Sequence, residues 1–199
     1  LFFTARNLER GTSAVAELSK MGLHPRFFQL DIDDLGSIRR FRDHLKGNYG
    51  GLDVLVNNAG LRSNCTVHYN SVYYQQSSVP RLGATNFFST VNVCRELFPL
   101  LRPHARVVNI SGGHGVLKTV RNEEWRGKIA DPNLGLNELV ALMKGSIMDL
   151  TDYGCTPGRA AYRLSKVGIT ALTFIQQRQF NAEPGKDLVV NAVRYIFVF

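Results

Sequence analysis

Cysteine is scarce: Cys65, Cys94 and Cys155 stand singly and far apart. No C-x-x-C pair and no histidine at metal-ligand spacing accompanies them, which excludes a disulfide scaffold or a zinc ribbon. An odd, sparse set fits a reducing compartment, and so a cytoplasmic protein. No apolar run approaches the roughly 20 residues that cross a bilayer, so no membrane role is expected. No basic stretch followed by a long apolar one marks a leader; the chain opens on Leu1-Phe2-Phe3 as though already inside a strand. Acidic residues are also few, 16 against 24 basic ones, giving a net charge of +8. That surplus is dispersed. Its tightest group, Arg39-Arg40-x-Arg42 beside Asp43, reads as a solvated helix face, and no nucleic-acid partner is expected.

What is present is globular. Of the 199 residues, 44% are apolar and 20% charged, which excludes a disordered or fibrous chain. This length predicts a single domain over 1–199. The apolar pattern predicts strands over 1–5, 27–32, 53–56, 106–110 and 187–193. Between them, 3.6-residue spacing predicts helices over 9–21 (closed by Gly22), 35–45, 84–102 (stopped at Pro103), 137–150 and 159–180. Asp33 or Asp34 caps the second of these. The stretch 61–80, rich in Ser, Tyr, Asn and Gln, receives no element. Strands separated by helices of this length predict an α/β fold, a doubly wound parallel sheet of the Rossmann type.

Chemistry concentrates at strand ends and on one helix. Tyr162 and Lys166 are four apart, so a helix puts phenol and ammonium on one face. A cation beside a phenol favours the phenolate and makes proton transfer feasible near neutral pH. Asn57-Asn58-Ala59-Gly60 follows a strand, where small residues let a flat ligand approach the backbone. Asn109-Ile110-Ser111, Asp31 and Arg6 close three further strands, at the carboxyl edge where open α/β sheets bind ligands.

These residues resemble the short-chain dehydrogenase/reductase superfamily, and within it the NADPH-dependent carbonyl reductases. The matching runs are Thr4-Ala5-Arg6, Gln29-Leu30-Asp31-Ile32-Asp33-Asp34-Leu35, the stretch from Tyr49-Gly50-Gly51-Leu52-Asp53 through Asn57-Asn58-Ala59-Gly60, Thr85-Asn86-Phe87-Phe88, Arg106-Val107-Val108-Asn109-Ile110-Ser111 and Tyr162-x-x-x-Lys166. The resemblance implies a carbonyl substrate reduced with NADPH. Tyr162 would give the proton, Lys166 would assist it and hold the nicotinamide ribose, and Asn86 and Ser111 would complete the catalytic set. Arg6 would pair with the 2′-phosphate, since a guanidinium suits a phosphate dianion. Asp31 and Ile32 would border the adenine, and Asn58, Ala59 and Gly60 would line the cofactor cleft. The long interval between Ser111 and Tyr162 implies a helical insertion at about 113–157, which in the carbonyl reductases covers an oligomerisation surface and so implies a monomer.

Three departures from that pattern set further expectations. Gly112 stands where the family carries a second serine, whose hydroxyl bonds the substrate carbonyl; losing one such donor costs on the order of 10²–10³ in rate. The Gly-rich turn that would precede Leu1 is missing, with its strand and helix, which leaves two half-sheets. After Asn191-Ala192 the sequence runs on as Val193-Arg194-Tyr195 instead of turning at a Pro-Gly. On these grounds these 199 residues are expected to be weakly active or inactive, and a non-catalytic nucleotide- or partner-binding protein is the alternative.

Overall fold

A computed structural model describes residues 1–61, 78–113, 115–148 and 157–193. They divide into two compact units, one of Leu1–Leu52 with Val91–Leu101, the other of Asp53–Thr90 with the chain from Arg102 on.

In the first unit, strand β1 (Phe2–Ala5) pairs in parallel with β2 (Arg26–Gln29), with Phe3 opposite Phe27. Helix α1 (Leu8–Lys20) crosses between them. Asn7 caps its start, the side-chain oxygen accepting from Arg10 N at 2.8 Å. Its end is closed as the sequence predicts: Gly22 N donates to Ser19 O and Leu23 N to Leu18 O, the paired bonds of a Schellman turn. Helix α2 (Leu35–Tyr49) is capped by Asp34, not Asp33, and buries Ile38, Phe41 and Leu45. Phe2 and Phe28 pack edge-on or tilted against Phe41 and His44, so the two strands and α2 share one aromatic core.

In the second unit, β3 (Leu52–Asn57), β4 (Leu101–Ile110) and β5 (Val189–Val193) form a three-stranded sheet in that order. Parallel pairing joins β4 to β5 from Arg106 opposite Val189 to Ile110 opposite Val193. The strand order thus gives two half-sheets, as expected. Val54 and Val56 on β3 are 56% and 54% exposed, so that face has no covering layer among the described residues. With the sheet go α3 (Ser78–Gly83), a π-helical turn (Ala84–Ser89), and, past α4 (Thr90–Leu97), whose residues from Val91 on belong to the first unit, α5 (Glu123–Ala130), α6 (Leu136–Met148) and α7 (Pro157–Asn181). Phe87, Leu139, Met143, Leu164 and Leu172 are wholly enclosed and form the core of this unit. No helix among the described residues is long and apolar enough to cross a membrane.

Among the boundaries that differ from the sequence reading, two have a clear consequence. The α-helix expected to reach Pro103 ends at Leu97, in a 3₁₀ turn over Phe98–Leu100. Pro99 is the reason: it lacks the N–H that the next α-helical bond needs. Pro103 lies instead inside β4, ahead of the stretch paired with β5, where its missing donor costs no bond to that strand. Strand β2 stops at Gln29, so Asp31 and Ile32 sit in the following turn.

Candidate active site

The candidate residues fall in two groups, one per unit. In the first unit Arg6 leaves β1 with its side chain exposed. The exit is fixed by the neighbouring strand: Leu30 N donates to Ala5 O at 3.0 Å, and Gln29 Nε2 to Arg6 O at 3.0 Å. Asp31 and Ile32 are half-buried. One Asp31 carboxylate oxygen accepts from Asp33 N at 3.0 Å, and Asp31 N donates to Ser37 Oγ at 3.0 Å. The carboxylate therefore shapes the turn into α2.

In the second unit the groups are carried by α7. Its buried stripe of Ala160, Ala161, Leu164, Val167, Ala171 and Leu172 faces the core and sets the rotation of the helix. Tyr162 is consequently half-buried and packs with Leu61 against Leu82 and Ala161. One turn on, the Lys166 ammonium stands 5.7 Å from the centre of the Tyr162 ring. It donates to Ile110 O at 2.7 Å, and the residue is only 8% exposed. Burial disfavours the charged form and holds this amine below its ordinary value of 10.5.

Beside them is the turn that leaves β4. Ser111 N and Gly112 N both donate to Val193 O, at 3.0 and 3.1 Å. Gly112 takes φ +99°, a region that side-chain-bearing residues avoid, and a Cβ there would lie 3.8 Å from the Tyr162 hydroxyl. The position expected to carry a serine is thus next to the tyrosine hydroxyl, and it carries no donor. Ser111 does not replace it. Its side chain is fully buried and its hydroxyl meets Lys166 O at 3.1 Å and Thr170 Oγ1 at 2.7 Å. Neighbouring side chains at a strand end alternate in direction, and Ser111 is the one that faces the helix.

Asn86 lies in the π-helical turn and is 2% exposed. Its side-chain oxygen accepts from Leu61 N at 2.6 Å, while its nitrogen donates to Leu61 O at 2.9 Å and to Ser165 Oγ at 3.2 Å. Ser165 Oγ donates in turn to Tyr162 O at 2.8 Å. The Asn86 main-chain oxygen accepts from Thr90 Oγ1 at 3.0 Å. Asn86 therefore ties the end of the exposed Asn58-Ala59-Gly60 loop to the turn of α7 that bears Tyr162. A Cβ at Gly60 would stand only 3.0 Å from the Asn86 side-chain oxygen, so the loop reaches Asn86 because it is glycine there.

Sequence reasoning gave no role to a second buried network. Asn109, fully enclosed on β4, accepts from Asn57 Nδ2 at 2.8 Å and donates to Thr173 Oγ1 and Gln176 Oε1, both at 2.9 Å. It binds the end of β3 and the middle of α7 to β4. The available signal was polar residues at 109, 173 and 176 in otherwise apolar core runs; a buried amide of this kind requires partners.

The comparisons bear on this arrangement. Residues 1–123 match the family model described as short chain dehydrogenase. The chain is 42% identical over 196 residues to Carbonyl reductase [NADPH] 1 of Homo sapiens, covering 95% of this chain and 69% of that protein. It is 43% identical over 193 residues to Carbonyl reductase [NADPH] 3 of Mus musculus, covering 94% and 68%. Among solved structures, the menthone neomenthol reductase from Mentha piperita superposes with a TM-score of 0.76 at 24% identity, over 90% of this chain and 77% of that one. Salutaridine reductase from Papaver somniferum gives 0.76 at 23%, over 96% and 75%. These two likenesses carry the fold alone. Taken with the strand-end motifs and the helical Tyr162–Lys166 pair, the family model and the carbonyl reductases show that the chain belongs to the short-chain dehydrogenase family of oxidoreductases, on a Rossmann-type α/β fold.

Proposed function

We propose that the protein reduces aldehydes, ketones or quinones to alcohols with NADPH. The observation that carries this reading is the buried Lys166 ammonium, held 5.7 Å from the Tyr162 ring on one helix face. A buried cation that makes one bond to a backbone carbonyl is costly to fold around, and its place beside a phenol gives it a chemical use. NADPH supplies the hydride to the carbonyl carbon when bound. Tyr162 gives its proton to the carbonyl oxygen, and the neighbouring ammonium stabilises the phenolate left behind. Lys166 Nζ, now on Ile110 O, also has the donors to meet a ribose hydroxyl. Asn86 keeps the 58–61 loop and the Tyr162 turn in register.

The residues present fit that cofactor. Arg6 offers an exposed guanidinium at a strand end, the donor fork that a 2′-phosphate takes. Asp31 and Ile32 would border the adenine, and Asn58, Ala59 and Gly60 are exposed residues, the last two small enough to leave a backbone that a flat ring system can approach. The printed names of the relatives, carbonyl reductases marked NADPH, support the same choice.

Gly112 favours a second reading. With no side-chain hydroxyl at position 112, the substrate oxygen loses one fixed donor, and the protein binds nucleotide without turning over. One experiment separates the two. NADPH consumption is followed with a small quinone and an aldehyde, and NADPH affinity is measured in parallel. The reductase reading expects turnover that Tyr162→Phe lowers by about 10²–10⁴ while affinity stays within about twofold. NADPH binding with no turnover, unaltered by Tyr162→Phe, supports the nucleotide-binding reading and sinks the first.

A further inference from the structure

The turn of α7 that bears Lys166 is fastened to the end of β4 by two hydroxyls and a glycine that the proposed chemistry leaves unused. Ser111 Oγ meets Lys166 O at 3.1 Å and Thr170 Oγ1 at 2.7 Å. Thr170 Oγ1 meets Gly115 O at 3.0 Å and Lys166 O at 3.1 Å. Two hydroxyls carry two protons, so two of these four contacts are donated at any time. When Ser111 donates to Thr170 and Thr170 to Gly115, strand end, turn and helix are joined in one chain.

Gly115 makes this closeness possible. A Cβ at that position would stand 2.0 Å from Ser111 Oγ and 2.8 Å from both Lys166 O and Thr170 Oγ1, so no side chain fits. When Ser111 instead donates to Lys166 O and Thr170 donates to Ser111 Oγ, Lys166 is gripped twice by consecutive residues. Its main-chain oxygen is held by Ser111 and its ammonium by Ile110 O at 2.7 Å. An ammonium on a four-carbon stem has many rotamers, and fixing the stem's base removes much of that freedom.

We propose that Thr170 is a positioning residue: with Ser111 and Gly115 it forms a hydroxyl clamp that sets where the Lys166 ammonium stands. The value of that position rests on the reading of Tyr162 and Lys166 as the reacting pair, so the test includes a readout that needs no turnover. The rate at which a small amine-acylating reagent labels Lys166 is measured peptide by peptide, with exposed Lys20 as the internal standard. Thr170→Val removes the hydroxyl and keeps the branched shape; Thr170→Ser keeps the hydroxyl.

The clamp predicts that Thr170→Val labels Lys166 about tenfold faster than the unaltered protein, the effect of one lost buried hydrogen bond. Lys20 labelling stays unchanged and Thr170→Ser returns Lys166 to within about twofold. It also predicts a kcat about tenfold lower in Thr170→Val, with the carbonyl KM within about twofold. Unaltered Lys166 labelling in a folded Thr170→Val protein overturns the clamp. Should that variant fail to fold, Ser111→Ala decides by the same labelling, faster supporting the clamp and unaltered overturning it. If labelling responds as stated but no form of the protein reduces any carbonyl, the clamp stands and the reacting-pair reading falls.

Discussion

Arg6, Asp31 and Ile32 leave their strands on short turns, held by bonds within the turns (Asn7 to Arg10, Asp31 to Asp33, Asp34 to Gly36) and by two between the paired strands (Gln29 to Arg6 O, Leu30 to Ala5 O), which leave the Arg6 side chain exposed. Tyr162, Lys166 and Asn86 in the other unit are enmeshed in contacts that span 25 to 79 residues of sequence, from Leu61 to Ser165 and from Ile110 to Lys166. Under the proposed function, the difference follows from what each group would do. A guanidinium that reads a phosphate needs exposure and charge, and a strand end supplies both at little structural cost. A phenol and an ammonium that share one proton-transfer step need fixed separation and little water, and only a packed interior with its polar groups bonded provides that.

Substitutions on the two sides should therefore fail in different ways. The largest effect on the fold is expected at the centre of the buried network. Asn109→Ala removes three hydrogen bonds at once, to Asn57, Thr173 and Gln176, and is expected to cost about 2–4 kcal/mol, since each bond lost inside the fold costs on the order of 1 kcal/mol. Thermal unfolding measures it, and a midpoint equal to the unaltered protein's would break the contrast between the units. Next comes Arg6→Ala. The exposed side chain is expected to leave the midpoint unmoved while NADPH affinity falls by about 10–100-fold and NADH affinity does not change. Equal losses for both nucleotides would remove Arg6 from the phosphate. Gly112→Ser tests the border of the second group. The φ of +99° makes a serine there cost about 1–2 kcal/mol, while a hydroxyl beside Tyr162 is expected to raise turnover by about 10–100-fold. A stable variant with unchanged turnover would show that the missing donor does not limit the rate.

The same contrast explains what the sequence made legible. Local signals carried through: Gly22 closes α1, Asp34 caps α2, and the spacing of Tyr162 and Lys166 puts them on one face of α7. The strand-end position of Arg6 was also readable, because the apolar run of β1 stops just before it. The bonds of Ser111 were not readable, because its partners, Lys166 and Thr170, lie more than fifty residues away and only the fold brings them to it. Asn109 was quoted within a motif yet given no role for the same reason. The helix stop was mistaken by overlooking Pro99, a local signal that Pro103 obscured. His114, Cys65, Cys155 and residues 194–199 lie outside the described residues.

Lys166 is where stability and chemistry separate. Its amine is held below 10.5 by burial, so between its folded value and 10.5 the unfolded chain binds a proton that the folded chain has shed. Stability contributed by this group therefore rises with pH across that window, and below it the full cost of burying the ammonium is present. A residue kept at such a cost should be there for the reaction. The direct measurement is Lys166→Met, with thermal midpoint near neutral pH and NADPH-dependent carbonyl reduction read on the same preparation. The expected result is a midpoint equal to or above that of the unaltered protein, with turnover lowered by about 10² or more. A variant that unfolds several degrees earlier and keeps its turnover would contradict it, and would make Lys166 a structural residue.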